Sequence, residues 1–189
     1  ETKKNYILFP ARVLKDKGII EFAHAAKILA KNYGDWRFLV AGELNYKNPS
    51  ALSDGERKEL STFPIEFLGH VNDMVPLLRE SKIVCLPSYR EGMPKVILEA
   101  SAMGCAVVTT DVPGCNESVI DHVTGLIAKP FDCNDLAAKI RCLLDSPDLL
   151  ESFSRAGVEH ARDNFSVERV LNSHYEIYES SWRDVGRNC

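Results

Sequence analysis

The sequence lacks any run of about 18 uninterrupted apolar residues, the minimum for a membrane-spanning helix. It also lacks a dense cluster of Lys or Arg, and 23 basic residues against 27 acidic ones give a net charge of -4. This balance excludes a sequence-wide attraction to nucleic acid. Any phosphate group must therefore be bound by a few well-placed side chains and by backbone amides.

Three motifs of metal and cofactor chemistry are also missing. None of the six cysteines is in C-x-x-C spacing with another, and several fall within apolar patterns. We therefore expect free, reduced, buried thiols in a cytosolic protein rather than a zinc or disulfide framework. No D-x-D pair is present to hold a metal beside a diphosphate, and no G-x-G-x-x-G follows a strand. We expect neither a metal nor a cofactor.

What is present is an alternation of short β-branched runs with longer helical periodicities, in a chain long enough for one well-buried domain. The predicted strands are 6–10, 36–41, 65–68, 82–86, 106–110 and 126–128. The predicted helices are 18–32, 74–80, 94–103, 134–144, 148–164 and 166–182, with Asp148 and Ser166 as N-caps of the last two. The stretch 45–59 is predicted to be a loop that runs into a short helix.

This order predicts an α/β fold, in which a parallel sheet is covered by helices on both faces. Right-handed crossovers make it a doubly wound, Rossmann-like sheet, with residues 1–165 as the domain and 166–189 as a C-terminal helix. Ligands of such sheets bind beyond the carboxyl ends of the strands. The loops at that edge are 10–18, 42–46, 69–73, 87–94 and 111–118. The chain begins at Glu1 and enters a strand-like run by Tyr6, so we expect a piece of a longer protein that starts at a domain boundary.

The most informative stretch is 88–100, which crosses from one of these loops into a helix. Pro94 suits the first turn of a helix, where its missing N–H is no loss, and Met93 before it cannot act as a cap. Uncapped amides at the positive end of a helix dipole form an anion site. Lys95 opposes the dipole in the first turn, an arrangement that favours a phosphate or other anion nearby.

Glu99 lies in the same helix, whose neighbouring residues are apolar nearly all round, so we expect it to be buried. A buried carboxylate needs hydrogen-bond donors. Sugar or ribose hydroxyls could supply them, and an i, i+4 ion pair with Lys95 is the structural alternative. The residues alone leave both interpretations open.

Glu91 and Glu99 form an E-x(7)-E motif, and EGMPKVILEASAMGCAVVTTDVPGCNE resembles the signature segment of glycosyltransferase family 4, whose enzymes have the GT-B fold. ILFPARVLKDKGIIEFAHAAKIL, FLVAGE, IEFLGHVNDMVPLL and VTGLIAKPFDCNDLAAKI also follow the order of that family. The resemblance covers nearly the whole chain. It implies that this chain is the nucleotide-sugar-binding, C-terminal half of a retaining glycosyltransferase, separated from the half that holds the acceptor.

The resemblance also implies roles for particular residues. Glu99 would hydrogen-bond the ribose, and Glu91 would face the transferred sugar, as a positioning group first and as a covalent nucleophile in the alternative. Arg12 and Lys17 would neutralise the leaving diphosphate without a metal. The nucleobase would lie near His70 and the main chain of Val71. Four residues around the start of the helix would approach the sugar and phosphates, through their backbone or their first-turn position: Gly92, Met93, Pro94 and Lys95.

Two positions depart from the family pattern. Ala11 stands where the family commonly has Gly before the Arg. The methyl group of alanine would leave less space for the phosphate to approach the backbone. Cys115-Asn116-Glu117 stands where one branch has Arg before the Glu, so any role of that Arg is lost or taken over elsewhere.

EGMPKVILEA and PGC resemble a branch of the family that uses UDP-sugars to extend lipid-linked cell-surface glycans. This resemblance implies a UDP-sugar as donor, with GDP-mannose second, and a glycan or lipid-linked acceptor in cell-surface polysaccharide synthesis. Such an enzyme would be cytoplasmic and would touch the inner membrane face through the other half, toward which the last helix would pack. We expect the chain alone to bind nucleotide weakly and to transfer nothing. The alternatives are another GT-B enzyme, such as an epimerase or phosphorylase, and a non-catalytic Rossmann-like module in which Glu91 and Glu99 are structural. A dinucleotide-dependent oxidoreductase has no motif to support it.

Overall fold

The computed structural model describes residues 2–44 and 47–186, which are built around one parallel sheet. Its strands are β1 (Lys4–Phe9), β2 (Arg37–Ala41), β3 (Ile65–Gly69), β4 (Ser81–Leu86), β5 (Ala106–Thr110) and β6 (Gly125–Ala128). They lie in the order β3-β2-β1-β4-β5-β6, and every neighbouring pair is parallel. The predicted doubly wound α/β fold is confirmed.

Seven α-helices in the described residues connect and extend these strands. They are α1 (Ile19–Leu29), α2 (Asp54–Leu60), α3 (Val75–Glu80), α4 (Lys95–Ala102), α5 (Cys133–Asp145), α6 (Pro147–Phe165) and α7 (Val167–Gly186). A 3-10 turn, Lys15–Lys17, leads into α1 and ends at Gly18 in the left-handed region, φ 75°. None of the helices in the described ranges combines the length and the apolar character that crossing a bilayer demands.

The sheet is buried on both faces because successive side chains of a strand point to opposite sides. Ile7 and Phe9 join one core, in which α1 and α5 pack against the sheet. Leu8 between them joins the other core, together with Leu78 of α3 and Ile97 of α4. This double coverage explains why the strands are short continuous apolar runs rather than alternating ones.

Two helix starts test the predicted caps. The Ser166 hydroxyl accepts a hydrogen bond from the Arg169 amide at 3.4 Å, as expected for the N-cap of α7. The prediction of Asp148 was wrong, because α6 already begins at Pro147 and Ser146 takes the N-cap position. Pro147 suits the first helical position because the N–H that proline lacks would have no partner within the helix there. The helix therefore begins at Pro147, one residue before the predicted start at Asp148.

The described cysteines are all free thiols, as predicted, although they differ in burial. Cys85, Cys105 and Cys115 are buried, and burial raises the pKa of each of these thiols. Cys142 is exposed, contrary to the general expectation of burial. Cys189 lies outside the described residues.

Candidate functional site

The candidate site lies where the strand order reverses, between β1 and β4. The chain leaves these two neighbouring strands in opposite directions, which opens a crevice at the carboxyl edge of the sheet. Gly18, at the end of the loop after β1, packs directly on the loop after β4: a Cβ at Gly18 would lie 2.0 Å from the Pro87 carbonyl oxygen. Only glycine allows this approach at its positive φ.

An ion pair joins the two loops across this crevice. Lys17 Nζ lies 2.6 Å from Glu91 Oε1, and the side chains are only 18% and 15% exposed. The Ser88 hydroxyl lies 2.9 Å from the same carboxylate oxygen and 3.0 Å from the Asp16 carbonyl oxygen. The Tyr89 amide also donates to the Asp16 carbonyl, at 2.8 Å. The structure therefore brings together two of the predicted site residues, Lys17 and Glu91, and fixes the position of both.

Arg12, the second predicted cation, lies on the same loop as Lys17, at its exposed start. The loop is held to the turn after β2 by the Val13 amide, which donates to the Glu43 carbonyl at 3.0 Å. A Cβ at Gly42 would lie 1.9 Å from the Ala11 carbonyl oxygen, so these loops also touch. Within residues 2–44 and 47–186, Arg12 makes no ion pair, which leaves its guanidinium open to an anion.

The start of α4 completes the crevice on the β4 side. The predicted helix began at Pro94, whereas Pro94 is the N-cap and Lys95 the first helical residue. No side chain among the described residues caps this end. Lys95 is exposed, and so are Gly92 and Met93 just before the cap. The amide-rich, positive end of α4 therefore opens at the same edge as Lys17 and Glu91.

Glu99 corrects one premise of the sequence analysis, because it is exposed rather than buried. α4 buries one face only, through Ile97, Ala100 and Ser101. The ion pair that Lys95 could have made with Glu99 is not formed in the part of the chain that the structure describes. The Glu99 carboxylate is therefore accessible to a ligand. Because water can solvate it, it does not need hydrogen-bond donors from a ligand.

Val71 lies farther along the carboxyl edge, in the loop after β3. It is half-buried and packs against the core on the α3 and α4 face, and β3 ends just before this loop at Gly69, φ 70°. β3 is two strands away from β1, or about 10 Å at the usual spacing of neighbouring strands. His70 beside it is exposed.

Sequence reasoning missed the residues that hold the 87–94 loop in place. Besides Ser88, these include Gly114, at φ 81°, where a Cβ would lie 2.1 Å from the Gly92 carbonyl oxygen. Tyr89 donates a hydrogen bond to Glu21 of α1 at 2.6 Å, and its ring centroid lies 4.0 Å from that of Phe131. Burial, followed by the bond to Glu21, raises the pKa of Tyr89. The available signal was the glycine in the loop after β5, at an edge already expected to bind ligand.

Residues 1–160 match the family described as glycosyl transferases, group 1. The N,N'-diacetylbacillosaminyl-diphospho-undecaprenol alpha-1,3-N-acetylgalactosaminyltransferase of Campylobacter jejuni is 34% identical over 89% of this chain and 44% of its own length. The capsular polysaccharide biosynthesis glycosyltransferase CapM of Staphylococcus aureus is 27% identical over 92% of this chain and 46% of its own length. The chain thus spans about half the length of these relatives.

Solved structures agree with the fold. The crystal structure of the C-terminal domain of a group 1 glycosyl transferase, LpcC from Francisella tularensis, superposes with a TM-score of 0.76, 27% identity and 86% coverage of each chain. Anabaena Alr3699/HepE in complex with UDP gives a TM-score of 0.82 at 21% identity, over 94% of this chain and 49% of that one. The sheet order and these superpositions show the Rossmann-like fold of the C-terminal domains of GT-B enzymes. The family match over residues 1–160 shows that the chain belongs to the group 1 glycosyl transferases.

Proposed function

We propose that this chain is the donor-binding half of a retaining glycosyltransferase, which transfers a hexosyl group from a nucleotide sugar. The observation that carries the proposal is the Lys17–Glu91 pair at the point where the strand order reverses. A carboxylate and an ammonium group face one crevice there, beside the uncapped start of α4. A nucleotide sugar presents the matching groups: sugar hydroxyls for the carboxylate and a diphosphate for the cations.

In the proposed mechanism, positive charge stabilises the departing nucleoside diphosphate. Lys17, Arg12 and the amino end of α4 supply that charge from three directions at one edge of the sheet. Catalysis in this scheme is electrostatic, because the cations neutralise the negative charge that develops on the leaving oxygen. Retention at the anomeric carbon means that the acceptor attacks from the face that the diphosphate leaves.

Glu91 positions the transferred sugar in this scheme. The bonds from Lys17 and Ser88 both reach Oε1, so the carboxylate is oriented from that side. Glu99, exposed one turn into α4, binds the ribose hydroxyls, and the main chain of Val71 contacts the nucleobase. The amides of 92–95 approach the sugar and the phosphates.

A UDP-sugar is the proposed donor, with GDP-mannose second, and the proposed acceptor is a lipid-linked glycan. Two relatives support the acceptor class by their names, since one acts on a diphospho-undecaprenol saccharide and the other serves capsular polysaccharide biosynthesis. UDP is bound by Anabaena HepE, a protein of the same fold. The acceptor site is proposed to lie in a second domain, toward which α7 packs. The full enzyme would then work in the cytoplasm at the inner membrane face, and the chain alone would be inactive.

Calorimetry of this chain with UDP, GDP and ADP tests the proposal. We expect UDP to bind more tightly than the other two, and Glu99→Ala to weaken UDP binding by about 1–3 kcal/mol through the loss of its hydrogen bonds to ribose. Glu176→Ala is the matched control, because Glu176 is an equally exposed helical glutamate, on α7. Absence of binding by all three nucleotides would favour the non-catalytic module instead.

A further inference from the structure

A second concave site lies at the opposite, amino-terminal edge of the sheet. It is a cavity of about 330 Å³ between the start of α6 and the amino ends of β1, β2 and β4. That volume lies at the lower end of the range typical of small-molecule sites. β1 is six residues long, so the cavity and the Lys17–Glu91 crevice are separated by about 20 Å.

Two lysines give the cavity a positive charge. Lys82 Nζ donates to Asn5 Oδ1 at 2.7 Å and lies 5.5 Å from the centroid of the Trp36 ring. Lys3 Nζ donates to the Ser81 carbonyl at 2.7 Å, to the Leu78 carbonyl at 3.2 Å and to Cys105 Sγ at 3.5 Å, so its three donors are all in use. Neither lysine makes an ion pair with a carboxylate in the part of the chain that the structure describes. An ammonium group has three donors, so Lys82 keeps donors for a further acceptor.

The remaining charges at the cavity offset one another. α6 begins at the rim with Pro147 and has no side-chain cap from the described residues, but Asp148 lies in its first turn. The last turn of α5, with Leu143 and Leu144, lines the same cavity, so the negative end of that helix offsets the positive end of α6. Glu151 is the acidic residue that lines the cavity, and it faces Arg155 at 3.7 Å. Lys82 is therefore the group at the cavity with donors left for an anion.

The walls are apolar and suit a ring. Trp36, Leu143, Leu144 and Leu150 line the space. The Ser154 hydroxyl in the wall is already bonded to the Gly104 carbonyl. A sugar or a phosphate ester would leave polar groups without partners against such walls, which is unfavourable. A single ring with one carboxylate would bury the ring against the walls and present the charge to Lys82.

We propose that this cavity is a binding site for a small ring-bearing carboxylate, held by Lys82 and stacked beside Trp36. The ligand is distinct from the nucleotide sugar proposed for the other edge, and its site does not share residues with that crevice.

The test uses the intrinsic fluorescence of Trp36. The chain has two tryptophans, and Trp182 is 84% exposed on α7, so Trp182→Phe leaves Trp36 as the reporter. This variant is titrated with phenylacetate, with the uncharged phenylacetamide, and with acetate. We expect a saturable change with phenylacetate, an affinity about tenfold lower for phenylacetamide, and no saturation with acetate, because the ring and the charge both contribute.

Two lysine variants locate the site. In the same background, Lys82→Met should lower the affinity for phenylacetate about tenfold and remove the preference over phenylacetamide. Lys58→Met, at an exposed lysine of α2, should change neither, and circular dichroism checks that both variants are folded. Equal binding of the acid and the amide, no saturation by about 10 mM, or an unchanged affinity in folded Lys82→Met would each overturn the proposal. Saturating UDP should not displace phenylacetate, which separates this outcome from that of the proposed function.

Discussion

At the scale of single residues, Lys17 and Glu91 depend on one another. Both side chains are more than four-fifths shielded from water, so each charge would be poorly solvated if its partner were removed. Their 2.6 Å contact is a charge-assisted hydrogen bond, among the stronger polar contacts in proteins. A bound diphosphate would offer Lys17 a second anion, and sugar hydroxyls would offer Glu91 new donors. We therefore expect Lys17 to bind the diphosphate and Glu91 to bind the sugar hydroxyls when the ligand is present.

Substitution of each partner should affect UDP affinity in different directions. Lys17→Met removes a cation from the diphosphate, so we expect UDP to bind about tenfold more weakly. Glu91→Gln removes the competing carboxylate and frees Lys17, so UDP affinity should stay the same or rise. Calorimetry measures both, with Lys129→Met, an exposed lysine at the same edge, as control. Equal weakening by Lys17→Met and Glu91→Gln would show that the pair holds the loops together and does not bind phosphate.

At the scale of elements, the 87–94 loop is fixed by its neighbours rather than by its own sequence. Gly18 at the start of α1 packs against Pro87, and Gly114 after β5 packs against Gly92. The Thr110 hydroxyl at the end of β5 donates to the Ser88 carbonyl. Because these contacts come from two separate segments, before α1 and at the end of β5, the position of Glu91 is determined by the packing of loops at the sheet edge.

Gly114→Ala should disturb this arrangement. The added Cβ would lie 2.1 Å from the Gly92 carbonyl oxygen, and alanine is strained at φ 81°. We expect a loss of about 1–3 kcal/mol in the free energy of unfolding, measured with urea, together with weaker UDP binding.

Gly55→Ala is its matched control, because no atom lies within 4 Å of the Cβ position in α2. It should leave stability unchanged or raise it by up to about 1 kcal/mol, since alanine is the better helix former. If Gly114→Ala were as stable as Gly55→Ala and bound UDP normally, the loop contact at Gly114 would have no role in the site.

A strand, a helix and a loop show which structural features the sequence pattern predicts and which it does not. Strand β5 was predicted with its observed bounds, since a buried parallel strand is recognisable as a short apolar run between breakers. Glu99 was predicted to be buried because its neighbours are apolar, yet Ala102 in the same helix is exposed as well. Apolar composition alone cannot tell which side of a short helix faces the sheet. Ser88 could not be predicted, because its hydroxyl meets the Asp16 carbonyl only in the folded chain.

At the scale of the whole molecule, the two edges of one sheet carry different chemistry. The carboxyl edge carries Lys17, Glu91 and the amino end of α4, and the amino-terminal edge carries the cavity around Trp36. The alternation of strands and helices, with right-handed crossovers, was enough to predict the fold and the edge at which a ligand should bind. The direct bond between Lys17 and Glu91 was not predictable, because it depends on how closely two loops 74 residues apart approach.

The central claim is that the crevice between the loops after β1 and β4 binds a nucleoside diphosphate. Backbone amide chemical shifts of the isotopically labelled chain, followed by NMR during a titration with UDP, test it most directly. We predict saturable shifts of the amides in 12–18 and 88–99, and little change around Trp36 and Lys82 at the other edge. Shifts confined to the amino-terminal edge, or none at saturating UDP, would contradict the account.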